Sequence, residues 1–416
     1  MNIFKTSILT AIATGARLLS GFIVMKLVAI QAGPEGVAQL GQFMSLTALL
    51  VVFAGGGIGP GVVKYLAEYK VDNYKVKNLL QSAFTFTLIA SIFMFLLVLL
   101  LSELISGWLF GSFDFQWLII VLAFAQILVA LHNLIISIVN GMMDVKRLAF
   151  IHICGAAVGV LLPLLLGYFY KLQGILLAFL LAQASLVIIS FFVYKRSGYF
   201  SWLYIGWLLR KDDFYRLARF SLMTLTSALL APLVQIAVRN YLANNFTWEY
   251  VGYWQAVSKV SEAYLLFITM AISVYYLPKL SSLKQRSDLL AEVKSAYIYL
   301  MPLVSLLALS IYLCRNIVTA ILFSEDFEFA NGLYAPQLIG DVLKIASFIF
   351  SYMMLAKAMT KTFICSELFF SFMYYGLVVF MTAQYGLIGA MYAFLVNYLL
   401  YLIFTAIVVF VFVRRA

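Results

Sequence analysis

An all-α membrane protein of twelve spanning helices in two six-helix lobes is the fold class that the sequence predicts, on three observations. The chain has 416 residues, 65% of them hydrophobic and 11% charged, with a mean hydropathy of +1.03; soluble domains are about one-quarter charged. Apolar runs of bilayer-spanning length recur from end to end with short polar turns between them. The loop charges are sorted by sign from one turn to the next.

Crossing the hydrocarbon core takes about 20 apolar residues at 1.5 Å of rise each. On that length, hydropathy and turn residues place the spans at 6–30, 38–63, 79–102, 117–140, 148–170, 173–194, 217–241, 250–277, 296–313, 333–356, 362–383 and 386–413. With the N-terminus inside, the cytoplasmic segments hold 21 of the 28 basic residues, including Lys64, Lys70, Lys75, Lys77, Lys195, Arg196, Arg210 and Lys279. The outer loops hold Lys171 and Arg315 as their bases, against Glu35, Glu103, Asp114, Glu249, Glu325, Asp326 and Glu328. That imbalance predicts cytoplasmic termini. The net charge of +11 therefore belongs to membrane topology rather than to nucleic acid, whose binding is excluded. The first apolar run is too long for a signal peptide, lacks an A-x-A-like cleavage site and is expected to stay as a span. Cys154, Cys314 and Cys365 lack metal-ligand spacing and read as packing residues, so no metal, cofactor or disulfide is expected.

The longest inner connection, Lys195 to Phe220, falls at the midpoint and mixes Trp202, Tyr204 and Trp207 with basic residues. It reads as an interfacial linker over 197–213, between an N-terminal lobe of residues 1–196 and a C-terminal lobe of residues 214–416. Asp212 or Asp213 is the expected cap of the seventh span. The halves echo each other: Lys26, Glu35 and Lys64 recur in order and spacing as Arg239, Glu249 and Lys279, which suggests two repeats inserted in the same sense.

Within the spans lie five bases, Arg17, Lys26, Arg239, Lys259 and Lys344, and three acids, Glu262, Asp341 and Glu367. Charges at membrane depth are costly and are read by default as functional. Lys259 with Glu262, and Asp341 with Lys344, stand three apart on shared helix faces and are expected to neutralise each other in part. Arg17, Lys26 and Arg239 have no such neighbour, and the residual positive charge calls for an anionic ligand. Snorkelling to the headgroups is an equal alternative for Lys26 and Arg239, near their span ends; Arg17 is too deep for it. Nine residues at 100° each put Arg17 and Lys26 on opposite faces of a straight helix, so either Gly21 allows distortion or one of the two faces a cavity. Glu367 has two open readings, a protonatable coupling group or an interhelical ion-pair partner. His132 and His152 read as packing residues with one hydrogen bond each. The run GGGIGPG at 55–61 lacks the Lys-Ser or Lys-Thr of a phosphate loop; close helix packing is its preferred reading, a discontinuous helix the next. No nucleophile stands near a base, so no enzyme chemistry is predicted.

Several stretches resemble the Wzx-type flippases of lipid-linked oligosaccharides, among them the O-antigen and enterobacterial common antigen flippases. They are RLLSGFIVMKLVAIQAGPEG (17–36), AGGGIGPGVVKYLAEY (54–69), the Val251 to Leu280 region and QLIGDVLKIASFIFSYMMLAKA (337–358), where Gly340 to Lys344 is the most specific piece. The resemblance implies a V-shaped exporter fold like that of multidrug and toxin extruders, with a cationic cavity in which Arg17, Lys26, Arg239, Lys259 and Lys344 bind substrate and Glu262, Asp341 and Glu367 serve coupling or ion pairing. It also implies an undecaprenyl-pyrophosphate-linked oligosaccharide as substrate, residence in the bacterial inner membrane among membrane lipid, and polysaccharide polymerase and chain-length machinery as partners. Rocking of the lobes would change access while the prenyl tail stays in lipid. A cation antiporter of drugs or metabolites, expected to have an acidic cavity, is the alternative. A non-transporting scaffold would leave the five intramembrane bases without a purpose.

Overall fold

A computed structural model describes residues 3–70, 72–208, 210–272, 276–283, 285–357 and 359–415. The side chains of the expected cap Asp212 and of the loop bases Lys5, Lys211, Arg219, Lys284 and Arg415 lie outside the described residues. The described chain is helical: α1 (Ile3–Ala54), α2 (Gly59–Tyr69), α3 (Asn73–Leu100), α4 (Ser102–Phe110), α5 (Gln116–Gly141), α6 (Val145–Lys195), α7 (Lys211–Asn245), α8 (Trp248–Ala271), α9 (Leu277–Ser282), α10 (Arg286–Leu313), α11 (Arg315–Leu322), α12 (Tyr334–Ala356), α13 (Thr360–Tyr385) and α14 (Ile388–Arg415). Short 3₁₀ turns cover Trp202–Tyr204 and Glu325–Leu333. Among the described residues, eight helical stretches are long and apolar enough to cross a membrane.

Two of these stretches hold a break. In α1 the backbone turns at Gly33 (φ 60°, ψ −158°), and Pro34, which lacks an N–H to donate, begins the next segment. In α6 it turns at Lys171 (φ 48°, ψ −136°), between the expected fifth and sixth spans. The expected second span, 38–63, is corrected: its helix ends at Ala54, turns through Gly55, Gly56 and Gly57, and resumes as α2. Gly56 and Gly57 have φ of 64° and 63°, a region that glycine alone enters at no steric cost, and a Cβ on Gly56 would lie 2.5 Å from the Phe86 ring. A discontinuous helix, the second reading of the glycine run, is therefore the observed one.

The chain divides into two compact units, residues 1–32 with 39–236, and residues 33–38 with 237–416. In the first, Val62, Leu66, Leu79, Leu80, Leu134 and Ile138 pack α2, α3 and α5 together. In the second, Leu265, Ile268, Ile345, Ile349, Met353 and Val409 join α8, α12 and α14. One local feature occurs in both. Lys171 and Gly386 (φ 65°, ψ −151°) make the same turn, and three residues after each stands a glycine pressed against a carbonyl eight residues back. A Cβ on Gly174 would meet the Leu166 oxygen at 2.2 Å, and one on Gly389 the Met381 oxygen at 2.3 Å. Cys314 and Cys365 are exposed rather than packed, while Cys154 is half-buried.

Candidate functional site

The second unit holds six of the eight charges that the sequence places within spans. Arg239, near the end of α7, is 2% exposed. Its Nε donates to Gln255 Oε1 at 2.7 Å, and its guanidinium lies 5.7 Å from the Trp254 ring centre. Burial on that scale replaces the snorkelling alternative for Arg239, because its charge is held by side chains of α8. Lys259 Nζ meets Glu262 Oε2 at 2.5 Å, one turn along α8, as the spacing predicts. The Glu262 carboxylate also feels the charges of Lys344 and Arg239.

Asp341 and Lys344 share the same i, i+3 spacing, yet no ion pair at contact distance joins them among the described residues; each still acts on the other's charge, so the expected neutralisation is partial and works at longer range. Asp341 is fully buried and takes neutral donors instead, Tyr264 Oη at 2.8 Å and Gln337 Nε2 at 3.2 Å. A carboxylate satisfied by hydroxyl and amide donors has no need of the ammonium. Lys344 lies among aromatic rings, with Nζ 5.3 Å from the Tyr398 ring centre, 5.7 Å from Phe394 and 5.9 Å from Phe348. Such an array holds an ammonium by its ring quadrupoles, and the Tyr398 hydroxyl also accepts a hydrogen bond from it. Glu367 has no ion pair among the described residues; Tyr401 Oη of α14 donates to its Oε1 at 2.6 Å.

Arg17 and Lys26 belong to the first unit. The helix runs unbroken through Gly21, so the two project from opposite faces, Arg17 exposed and Lys26 half-buried. Arg17 lines a small pocket of about 100 Å³ with Thr10, Thr14 and His152. His152 was expected only to pack; it stands half-buried on α6 where it shares that pocket with the guanidinium. His132 matches its expected role, its Nδ1 3.1 Å from Ser190 Oγ.

Sequence reasoning missed the partners more than the charges. Gln337, Asp341, Lys344 and Phe348 follow one another at spacings of three and four residues on α12, as do Phe394, Tyr398 and Tyr401 on α14, a helical-face signal that could have found the aromatic setting of Lys344. The donation from Tyr264 to Asp341, 77 residues apart, had no such signal.

The chain matches the polysaccharide biosynthesis protein family over residues 36–331. It is 32% identical over 406 residues to the lipid III flippase of Escherichia coli (strain K12), covering 96% of each chain. Among solved structures it is similar to an inward-facing multidrug resistance MATE family transporter of the MOP superfamily, with a TM-score of 0.76 at 14% identity over 98% of this chain and 99% of the other. It is also similar to the lipid II flippase MurJ in an inward closed conformation, with a TM-score of 0.75 at 16% identity over 97% of this chain and 87% of the other. At those identities the solved structures speak for the fold.

Proposed function

The chain belongs to the polysaccharide biosynthesis protein family, and from that premise we propose that it is a flippase carrying an undecaprenyl-pyrophosphate-linked oligosaccharide from the cytoplasmic to the periplasmic leaflet. The single observation that carries this reading is the likeness to a lipid III flippase, 32% identical over 96% of both chains. The substrate is an O-antigen or common-antigen type of repeat unit, and the protein is a transporter, not an enzyme.

The charges suit that cargo. A pyrophosphate needs cations, and Arg17 offers a planar fork of donors that matches phosphate oxygens in pairs. Arg239, Lys259 and Lys344 supply further bases, with Lys26 as a fifth. Sugars present hydroxyls and apolar ring faces, for which Tyr398 and Phe394 provide a hydroxyl and stacking surfaces. The antiporter alternative needs acids open to a cation. Here Asp341 is occupied by Tyr264 and Gln337, and Glu262 by Lys259.

Twelve spans in two lobes of six, 1–196 and 214–416 joined by 197–213, are part of the proposal, with alternating access as the transport cycle. The paired turns at Lys171 and Gly386 support a repeat of this kind. The distribution of loop bases supports cytoplasmic termini in the inner membrane. The polymerase and chain-length machinery are the expected partners. The test is expression in flippase-deficient cells that each make a defined repeat unit. Surface glycan should return for at least one unit; a chain that inserts and accumulates yet restores none, or that restores only drug resistance, overturns the proposal.

A further inference from the structure

A second pocket lies in the first unit, away from every charge assigned above. It has a volume of about 350 Å³ and is walled by Phe84 of α3, Leu131 and Ile135 of α5, Ile188 and Phe192 of α6, and Tyr204 of the connection that follows α6. That connection is a fixed strap. Gln81 Nε2 donates to the Leu203 carbonyl at 2.8 Å, the Leu208 N–H donates to Thr85 Oγ1 at 3.1 Å, and Thr85 Oγ1 donates to the Gly206 carbonyl at 3.3 Å, so that α3 carries it. Trp202, Leu203 and Trp207 of the strap are 61%, 65% and 70% exposed, as in side chains that settle at a membrane–water interface. Ile188 and Phe192 are exposed where the pocket opens on the outer face of α6.

The walls rule out a polar occupant. An apolar void larger than a few waters stays dry and takes apolar guests, and the guest at hand on a lipid-facing helix is hydrocarbon. The rim adds a charge preference. Lys195 and Arg196, both exposed, end α6 one and two residues beyond Tyr194, which also lines the pocket. The Lys195 ammonium lies 5.6 Å from the Trp202 ring centre, and that ring is 6.1 Å from Phe191 of the wall. Arg147, which donates to the Arg196 carbonyl at 3.1 Å, is paired with Asp144, and Lys195 and Arg196 are the exposed bases at the end of α6.

We propose that this pocket binds one acyl chain of an anionic phospholipid whose headgroup rests on Lys195 and Arg196, fastening the strap to the bilayer. The flippase reading above bears on it only by naming the leaflet, the inner one, and the test below does not depend on transport.

The full chain is reconstituted in vesicles with equal parts phosphatidylcholine and phosphatidylglycerol, taken into mild detergent, and its retained lipid is counted by native mass spectrometry. Phosphatidylglycerol should be held over phosphatidylcholine by about thirty-fold, as two surface bases provide. Lys195→Gln with Arg196→Gln should keep a lipid but lose the preference. Ile135→Trp, which fills the pocket, should lose the lipid itself; Ile188→Trp at the exposed mouth makes the same test if the deeper substitution disturbs folding. Unchanged retention in both tryptophan variants, or a preference that survives loss of the two bases, overturns the proposal. Displacement of the phospholipid by added undecaprenyl phosphate also overturns it, by giving the pocket to a prenyl chain.

Discussion

Asp341 and Glu367 show how a carboxyl group is kept within a membrane span with no ion pair among the described residues. Each accepts a tyrosine hydroxyl from a neighbouring helix, Tyr264 at 2.8 Å and Tyr401 at 2.6 Å. Removing such a donor leaves a buried acceptor short of a partner, which costs about 1–3 kcal/mol. Glu367 is half-buried, so Tyr401→Phe should lower unfolding stability by about 1 kcal/mol, the lower end of that range, read from thermal unfolding in detergent. Glu367→Gln keeps an acceptor for Tyr401 but removes a titratable proton, so it should slow transport while substrate still binds. Wild-type transport by this variant across a range of proton and sodium gradients would return Glu367 to a structural role. Arg17→Ala should lose most surface glycan per inserted molecule, and Arg17→Lys, which keeps the charge without the fork, should retain part; normal flipping by Arg17→Ala, or failure by degradation alone, removes Arg17 from the phosphate. At this scale the sequence was a partial guide. The i, i+3 rule found Lys259–Glu262 and missed the fate of Asp341 and Lys344 at the same spacing, because Tyr264 and Gln337 took the acid and three aromatic rings the base.

Two helix ends carry cap chemistry that the reading of the sequence did not single out. Asp72 caps α3 by accepting from the N–H groups of Tyr74 and Lys75, both at 3.1 Å, and Asp144 caps α6 by accepting from Arg147 N at 3.2 Å. Partial burial raises the Asp144 carboxyl, but hydrogen bonds and charge from Arg147 outweigh it and hold the group below the ordinary carboxylate range. Tyr199, whose hydroxyl is directed at the same carboxylate, is pushed up to about 12 by burial first and by Asp144 second, so it stays a neutral donor at physiological pH. A depressed carboxyl stabilises the fold above its unfolded value and ceases to do so as pH falls through its folded value. Thermal stability at this end of α6 should thus fall on acidification below about pH 4. Asp144→Asn, which can still cap, should flatten that dependence, and Asp144→Ala should cost about 1 kcal/mol more at neutral pH. Equal pH profiles for wild type and Asp144→Asn would contradict the assignment. The helix break at Gly55–Gly57 was hard to see, since hydropathy barely registers glycine; the count of glycines was the signal, and their positive φ angles give it its meaning.

For the whole molecule, the proposed repeat rests on the spacing of Lys26, Glu35 and Lys64 against Arg239, Glu249 and Lys279, and the similar turns at Lys171 and Gly386 support it. The same separation carries Asp341 back to Gln126 and Glu367 back to His152, so polar residues of the second unit correspond in sequence register to polar residues of the first. Gln126 is fully buried with its Nε2 donating to the Ser91 carbonyl at 2.8 Å, and His152 stands beside Arg17. The charges of the pairs differ, and no hydropathy plot would relate them. The proposed orientation is tested by reporters active only outside the cytoplasm: fusions after Asn245 or Glu328 should be active and fusions after Ser197 or Gln285 silent, and the reverse pattern would overturn the reading of the loop charges. The central claim is that this chain moves a lipid-linked oligosaccharide between leaflets. Its most direct measurement reconstitutes the purified chain in vesicles with an undecaprenyl-pyrophosphate-linked oligosaccharide and follows the share of glycan open to an externally added glycosidase. With wild type that share should climb from the outer-leaflet portion toward the whole, and with Arg17→Ala it should stay near the outer-leaflet portion. Wild-type vesicles that expose glycan no faster than protein-free ones would contradict the account.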